Sequence, residues 1–496
     1  MKKTMTIRPG GSILLFFLFF SFLPAAKGQK TYNLTLEQSI EIAKEQSYAM
    51  RMLVQDLKIA EYNLKSVTSR LKTHVNMELA LPQYAETVRQ KADSAGVFFS
   101  VKQLTYSSGL TINQPLPTDG NIFVQSGLAS YRDYYNGTQS ANLNTRVGFR
   151  QPFDALYGYN SIKTAIKNAE LSYERADKVL KRNELELISR VSRSYYSLLS
   201  FQKSAEIAML NLERQTEAFE ISKNKYESGL IREVDALQME VDLAEAQSNY
   251  DMELLNQSSA LNSFKDLIGI ELHDSVILSS ELSYSIVVVD PETAVEYALA
   301  NRSEIREREI NTEMQKLDLK RQKAQGMVRL SLDGYFEKVG YTSSYTNMDI
   351  LNSIENSYNN FVKSPYSYGI GLTVSIPIFD WGENKSLVRA AEARIKQSFL
   401  EKEDYQRNIE TEVRNIVGTL GSSLKRLQLL EKNVAVAEKS FDITLQRYSD
   451  GDIDSQALAL ERARLNTAYV SHLNSYISYQ LTLTDLMRAT LYDFSR

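Results

Sequence analysis

The chain has 496 residues, 43% of them hydrophobic and 24% charged, with a formal charge of −4. That balance excludes a wholly disordered polymer, and its acidity argues against a nucleic-acid partner. With no Cys there are no disulfides and no thiolate metal sites, and His74, His273 and His472 lie too far apart to form a ligand motif.

The first segment reads as an address. Lys2, Lys3 and Arg8 precede an apolar run from Ile13 to Leu23, broken only by Ser21. Pro24 and the small residues of Ala26-Lys27-Gly28 follow. This is the pattern of a secretory signal peptide over 1–28, cut before Gln29. The run is much shorter than the ~20 residues that a spanning helix needs. No Cys follows the cut, so no lipoprotein-type anchor is expected. Losing Lys2, Lys3, Arg8 and Lys27 takes the charge from −4 to −8.

Prolines divide the remainder. They stand at 82, 115, 117, 152, 291, 365 and 377, so 153–290 and 378–496 contain none. Breaker-free stretches rich in Ala, Leu, Glu, Lys and Gln predict long helices. From Ile409 through Val413, Ile416, Leu420, Leu424, Leu427, Leu430, Val434, Ala437, Phe441 and Leu445 to Tyr448 the apolar step averages about 3.5, a coiled-coil seam. Ile162, Ile166, Ala169, Tyr173, Ala176 and Leu180 begin a similar one. A helix of about 70 residues is about 105 Å long, so the molecule must be a rod or tube.

The two blocks share a plan. Lys225-Tyr226-Glu227-Ser228-Gly229-Leu230-Ile231 ends the first long helix, and Arg447-Tyr448-Ser449-Asp450-Gly451-Asp452-Ile453 ends the second. Leu36-Glu37 to Arg51 resembles Pro291-Glu292 to Arg306. The chain therefore reads as an internal duplication. The first repeat covers 29–270 with its tip at 226–231, a linker or equatorial segment covers 271–290, and the second repeat covers 291–496 with its tip at 448–453.

Each repeat also holds a strand pair. Val75, Met77, Leu79 and Leu81 alternate with polar or small residues, as do Leu143, Val147 and Phe149. Val328, Leu330 and Leu332 do the same in the second repeat, with Ile370, Leu372, Val374, Ile376 and Ile378. The pattern fits strands of a transmembrane barrel or of a half-buried soluble sheet. Four strands cannot close a barrel alone, so the membrane reading requires oligomerisation. Segments 85–142 and 334–368, rich in Tyr, Ser, Asn and Gly, read as polar outer loops. Within the first, Leu110–Gln114 and Asn121–Leu128 bracket Pro115-x-Pro117 as an extra hairpin that either caps or widens the barrel.

Taken together, the order and doubling of these elements resemble the TolC family of outer-membrane export ducts. Ser375-Ile376-Pro377-Ile378-Phe379-Asp380-Trp381-Gly382-Glu383-Asn384 is similar to that family's strand-to-helix signature. Its first-repeat counterpart begins Gln151-Pro152-Phe153-Asp154 and departs from the pattern in its spacing to Gly158. The resemblance implies a mainly α fold with a β-barrel part. Tandem-repeat coiled-coil helices would form a periplasmic α-barrel, and four strands per chain would enter a shared β-barrel of a homotrimer. It implies a site in the outer-membrane lipid and a periplasmic adaptor, or membrane fusion protein, docked at the hairpin tips. An inner-membrane RND or ABC pump would stand beyond the adaptor. Neither a cofactor nor catalysis is implied.

Residue by residue, Tyr226, Ser228, Gly229, Leu230, Tyr448, Ser449, Gly451 and Ile453 are the expected docking tips. The two Gly would allow positive φ, and the two Tyr would pack across the turn and expose a hydroxyl. Asp235, Asp450, Asp452 and Asp454 are the expected periplasmic gate, with Arg232, Arg447 and Glu461 as ion-pair partners. The gate carboxylates that the family carries one turn further on are replaced by Ala457 and Leu460. Pro152, Pro377, Phe379, Trp381 and Gly382 mark the strand-to-helix junctions, with the aromatic rings at the membrane boundary. No nucleophile elbow, phosphate loop or metal constellation occurs. Two other classes fit less of the chain: a coiled-coil scaffold without a pore, and the periplasmic adaptor itself, which would carry its helical hairpin once.

Overall fold

The computed structural model describes residues 30–90, 96–279, 282–344 and 348–494; the signal-peptide reading of 1–28 lies outside them. The first repeat runs β1 (Thr31–Leu34), α1 (Leu36–Gln46), α2 (Tyr48–Ser69), β2 (His74–Gln90), β3 (Phe98–Pro115), β4 (Asn121–Asp133) and β5 (Thr138–Pro152). After a single-turn 3₁₀ helix come α3 (Ser161–Glu227) and α4 (Glu233–Ile268). β6 (Ser275–Leu278) lies in the linker, and the second part runs α5 (Pro291–Asn301), α6 (Ser303–Gln325), β7 (Arg329–Ser344), α7 (Ile350–Lys363), β8 (Ser367–Ser375), α8 (Glu383–Asp450) and α9 (Ser455–Thr490).

Local signals set the helix ends. Thr35 and Gln38 make a reciprocal capping box at α1. Ser47 breaks α1 from α2 and caps α2 by accepting from the Met50 N–H at 3.3 Å. Asp290 caps α5, with Pro291 at its first position, where a missing N–H costs nothing. The long helices have 67 and 68 residues, about 100 Å each. Each folds back into a 36-residue partner, α4 or α9. The two hairpins pack on one another through α3 and α9.

Midway along, the repeats are sewn together. β1 pairs in parallel with β6, Thr31 beside Ser275 and Leu34 beside Leu278. Phe264, Ile268, Val413, Leu427, Tyr479 and Leu486 fill one continuous core there. The Tyr479 hydroxyl donates to the Ser285 carbonyl at 2.7 Å and accepts from the Val287 N–H at 3.2 Å, tying the linker to α9. Nearby, the buried Arg302 guanidinium donates to Glu412 at 2.6 Å and Glu304 at 2.9 Å, and Arg488 reaches Glu412 at 2.8 Å.

The strands form one antiparallel sheet in the order β2-β3-β4-β5-β7-β8. It therefore holds six strands, where sequence and family resemblance led to an expectation of four. Segment 85–142 is not an outer loop: β2 runs on to Gln90, and β3 and β4 are paired wall strands. Segment 334–368 likewise continues as β7 and then turns into α7. In the first segment the period-2 signal fades where the two faces stop differing, since the outer end of β3 sets Phe98, Phe99 and Val101 on both; in the second, the chain after β7 folds into the helix α7. About 9–11 residues cross a membrane, and β3 has 18.

Within the bilayer-length part the faces are distinct. Register places Ile122 and Val124 of β4 beside Phe149 and Val147 of β5, and carries the row on through Phe336 of β7. Leu332 beside Leu372, and Ile112 and Leu110 beside Val75 and Met77, complete the same face. These side chains are exposed, Met77 at 68% and Ile370 at 77%. The opposite face carries Arg146 paired with Glu337 at 2.9 Å and Arg150 with Asp333 at 2.5 Å. An apolar exposed band backed by an ion-paired polar face is the pattern of a lipid-facing wall around water. Toward the outer rim α7 covers the face that bears the apolar band, resting on Gly340, where a Cβ would lie 2.1 Å from the Ser357 carbonyl oxygen. Among the described residues no helix is long and apolar enough to cross a membrane.

Burial alone would raise the pKa of the Glu304 and Glu412 carboxyls, but hydrogen bonds from Arg302 outweigh it and hold both below the usual range. Carboxyls with depressed folded pKa values stabilise above their unfolded range and lose that contribution as pH falls through the folded values. Arg302→Met leaves Glu304 buried without its cation. Its expected cost is about 3 kcal/mol, with a weaker loss of stability below about pH 4.5 than the parent shows. Thermal melts of the assembled protein across pH 3 to 7 measure both effects.

Candidate functional site: hairpin tips and barrel junction

The two hairpins end in turns of related design. Gly229 (φ 71°) and Gly451 (φ 87°) both take the left-handed conformation that the sequence led us to expect. At the first tip the Leu230 N–H returns to the Lys225 carbonyl at 2.8 Å, and at the second the Asp452 N–H returns to that of Arg447 at 2.9 Å. These bonds close the helix ends in the Schellman manner. Leu230 is 74% exposed, and Ser228, Ser449 and Gly451 are exposed beside it, while Ile453 is half-buried.

The tyrosines are not equivalent. Tyr226 is exposed, but Tyr448 is only 2% exposed, so its expected presentation of a hydroxyl is corrected. The Tyr448 hydroxyl is buried with no hydrogen-bond partner. Lys225 explains the burial. Its ammonium lies 4.3 Å from the centre of the Tyr448 ring and donates to the Tyr448 carbonyl. The ring joins Ala218, Met239, Phe441, Leu458 and Leu465 in a small core between the hairpins. The first tip thus grips the second, a cross-repeat contact that spacing within either repeat does not reveal.

The acidic residues also separate. Asp235 pairs with Arg232 at 3.1 Å, and the hydrogen bond from that guanidinium holds its carboxyl below the usual range. Asp454 caps α9, accepting from the Ala457 N–H at 2.8 Å. Asp450 ends α8 and Asp452 follows Gly451, both exposed. Glu461 is engaged by Arg464 at 2.5 Å. Higher up, Arg462 of α9 meets Asp242 of α4 at 3.2 Å, the better-buried bond between hairpins.

At the other end, Pro152 closes β5 and Pro377 stands just beyond β8. Phe379 and Trp381 stack edge to face at 4.6 Å and project, Trp381 at 91% exposure. Trp381 and Gly382 are both left-handed. Asp380 holds this corner: its carboxylate accepts from the Gly382 N–H at 2.9 Å and the Asn384 N–H at 3.0 Å, which lowers its pKa. It is the true cap of α8. Its place two residues before Gly382 was the available signal, an Asx turn. The first-repeat junction is capped from elsewhere. Asn160 accepts from the Lys163 N–H at 2.7 Å, and Asp119, in the β3–β4 turn, accepts from the Ser161 and Ile162 N–H groups at 2.5 and 2.8 Å. Nothing in the spacing points to Asp119.

A second surface was also missed. Leu429, Val436 and Ile443 recur every seven residues on α8 and are exposed; on α4 Val234, Val241 and Leu255 are exposed too, with Ser248 at the position between the last two. The α8 set has the spacing of a coiled-coil seam, and both sets are left uncovered by the described residues.

Comparison with known proteins decides what this architecture is. A family model described as outer membrane efflux protein matches residues 125–270 and 304–490. The chain belongs to that family. Its members are outer-membrane exit ducts for efflux and secretion, reaching into the periplasm. Curated relatives include the alkaline protease secretion protein AprF of Pseudomonas aeruginosa, 22% identical over 61% of this chain and 59% of that one. Another is the outer membrane protein TolC of Vibrio cholerae, 23% identical over 71% of this chain and 77% of that one. The match thus spans less than two thirds of AprF. The fold is shared with the outer-membrane channel OprN (TM-score 0.66, 16% identity, 93% and 91% of the two chains). It is shared as well with VceC of Vibrio cholerae (TM-score 0.67, 14% identity, 92% and 96%).

Two substitutions separate packing from polarity. Tyr448→Phe removes a hydroxyl that has no partner and should leave stability unchanged or slightly raised. Tyr448→Ala should cost about 3 kcal/mol and loosen both tips. Hydrogen exchange at the ends of α3 and α8 reports the difference. Phe379→Asp should impair assembly by placing a charge at the membrane boundary. Normal yields of heat-resistant oligomer on gels would contradict that role.

Proposed function

We propose that this chain forms the passive exit duct of a tripartite efflux or type I secretion system, as a homotrimer. The observation that carries the reading is that the chain is unfinished on both flanks. β2 and β8 are edge strands of a sheet whose outer face suits lipid. Below them, α4 and α8 present exposed apolar side chains, those of α8 at heptad spacing. Different surfaces stand on the two sides, so contacts between copies are head to tail and close a ring. The ring encloses a lumen lined by the ion-paired face of the sheet and continues downward between the helical hairpins.

The tips would meet a periplasmic adaptor, which links the duct to an inner-membrane pump of the RND or ABC class. Leu230, Ser228 and Ser449 offer exposed contacts there, while Gly229 and Gly451 set the turns. Asp450 and Asp452, repeated around the ring, would place a cation-favouring collar at the narrow end, with the Arg232–Asp235 pair beside it. The pore-free scaffold reading offers no role for the exposed apolar band, and the single-hairpin adaptor reading offers none for the doubled hairpin.

Photo-crosslinking in living cells tests docking, with the crosslinker replacing Ser228 in one strain and Ser449 in another. Capture of a periplasmic adaptor at both is the expected result; capture of only its own subunits would count against docking. Gly451→Val forces a β-branched residue into a left-handed turn, at about 1–2 kcal/mol of backbone strain. It should lose both adaptor capture and export while keeping the assembled barrel. Wild-type export by this variant would remove the second tip from the docking surface.

A further inference from the structure

We infer that three copies close an 18-stranded barrel, with the β3–β4 hairpin built into the wall and β8 of each copy paired to β2 of the next. This rests on the trimeric reading above and adds the composition and width of the wall.

Three observations lead there. First, the hairpin is a full member of the sheet. β3 pairs with β2 from His74–Asn113 to Gln90–Phe98, and β4 pairs with β5 from Asn121–Arg150 to Asp133–Thr138. One row across the wall runs Glu78, Gly109, Gly127, Asn144 on the lumen face. Its other face continues the lipid-facing band through Leu110, Ile112, Ile122 and Val124.

Second, the hairpin's turn is fastened at the helical end of the barrel, away from its mouth. Asp119, held at a φ of 67°, receives the Ser161 and Ile162 N–H groups at the start of α3. Asn160 donates to the Pro117 carbonyl at 2.9 Å, and Gln151 donates to that of Thr118 at 2.8 Å. A Cβ on Gly120 would lie 2.9 Å from the Arg150 carbonyl oxygen, so the turn fits only as glycine. A cap over the mouth would have no reason to be anchored beneath it.

Third, the strand directions close. In an all-antiparallel sheet of six, the first and last strands run oppositely. β8 of one copy therefore meets β2 of the next antiparallel, and both edges are satisfied, as lipid requires. Six strands from each of three copies make eighteen. At ~4.8 Å between strands and ~40° of tilt the backbone ring is about 36 Å across, against about 24 Å for twelve. Barrels of 16–18 strands enclose an open aqueous channel. The wall then sets no size limit on cargo, which falls to the helical tips.

The protein has no Cys, so engineered pairs report cleanly. Glu78→Cys with Gly109→Cys should form an intrachain disulfide in isolated outer membranes. Glu78→Cys with Asn144→Cys should not, since three strand spacings, about 14 Å, lie between them. Glu78→Cys combined in turn with Gly369→Cys, Gly371→Cys or Thr373→Cys should give chain-to-chain links in at least one pairing. Cryo-electron microscopy of the unmodified protein in nanodiscs should show a ring of about 36 Å. A trimer with a ring of about 24 Å and a closing Glu78–Asn144 pair overturns the wall while leaving the duct intact. A particle with any other number of chains overturns the trimer and the strand count together.

Discussion

A peptide group in lipid has no water to bond with, and this one fact governs the molecule. β2 and β8 each carry a row of N–H and C=O groups on an edge that no other described strand pairs with. In a bilayer such an edge costs several kcal/mol per group, a cost that the proposed pairing with another copy would remove. The apolar band and the polar face are arranged around that need. The band places the sheet in lipid, and the ion-paired face makes the enclosed space wet.

The helices extend the same logic into water. A sheet strand feeds each long helix, and the corners are held by carboxylates, Asp380 for α8 and Asp119 with Asn160 for α3. Once below the membrane the constraint changes from backbone pairing to burial of apolar side chains. One seam packs inside the chain, and apolar side chains on α4 and α8 stay exposed. Sheet edges and helical side chains are thus both left open among the described residues, and the proposed ring would cover both.

The two halves of the chain are not identical. The first has the β3–β4 hairpin between β2 and β5, while the second has α7 between β7 and β8. At the far end Tyr226 is free and Tyr448 is captured by Lys225. The tips form a matched pair in backbone and an unmatched pair in side chains, so a partner that meets both would meet two different surfaces.

The long helices and the glycine turns that end them were legible because their causes are local. Proline absence, a 3.5 step and Gly in a left-handed turn act within a few residues of where they are read. The four strands that alternate were legible on the same ground. Only tertiary structure decided the rest. The outer parts of β2 and β3 lose their alternation where the two faces stop differing, as at Phe98, Phe99 and Val101, so their place in the wall depends on partners far away in sequence. Asp119 caps a helix 42 residues on, and Lys225 buries a ring 223 residues away. Sequence alone determined the periodic elements, because hydrogen bonds and burial repeat along the chain. The width of the wall and the grip between tips belong to pairings between distant segments, and the chain carries no periodic trace of them.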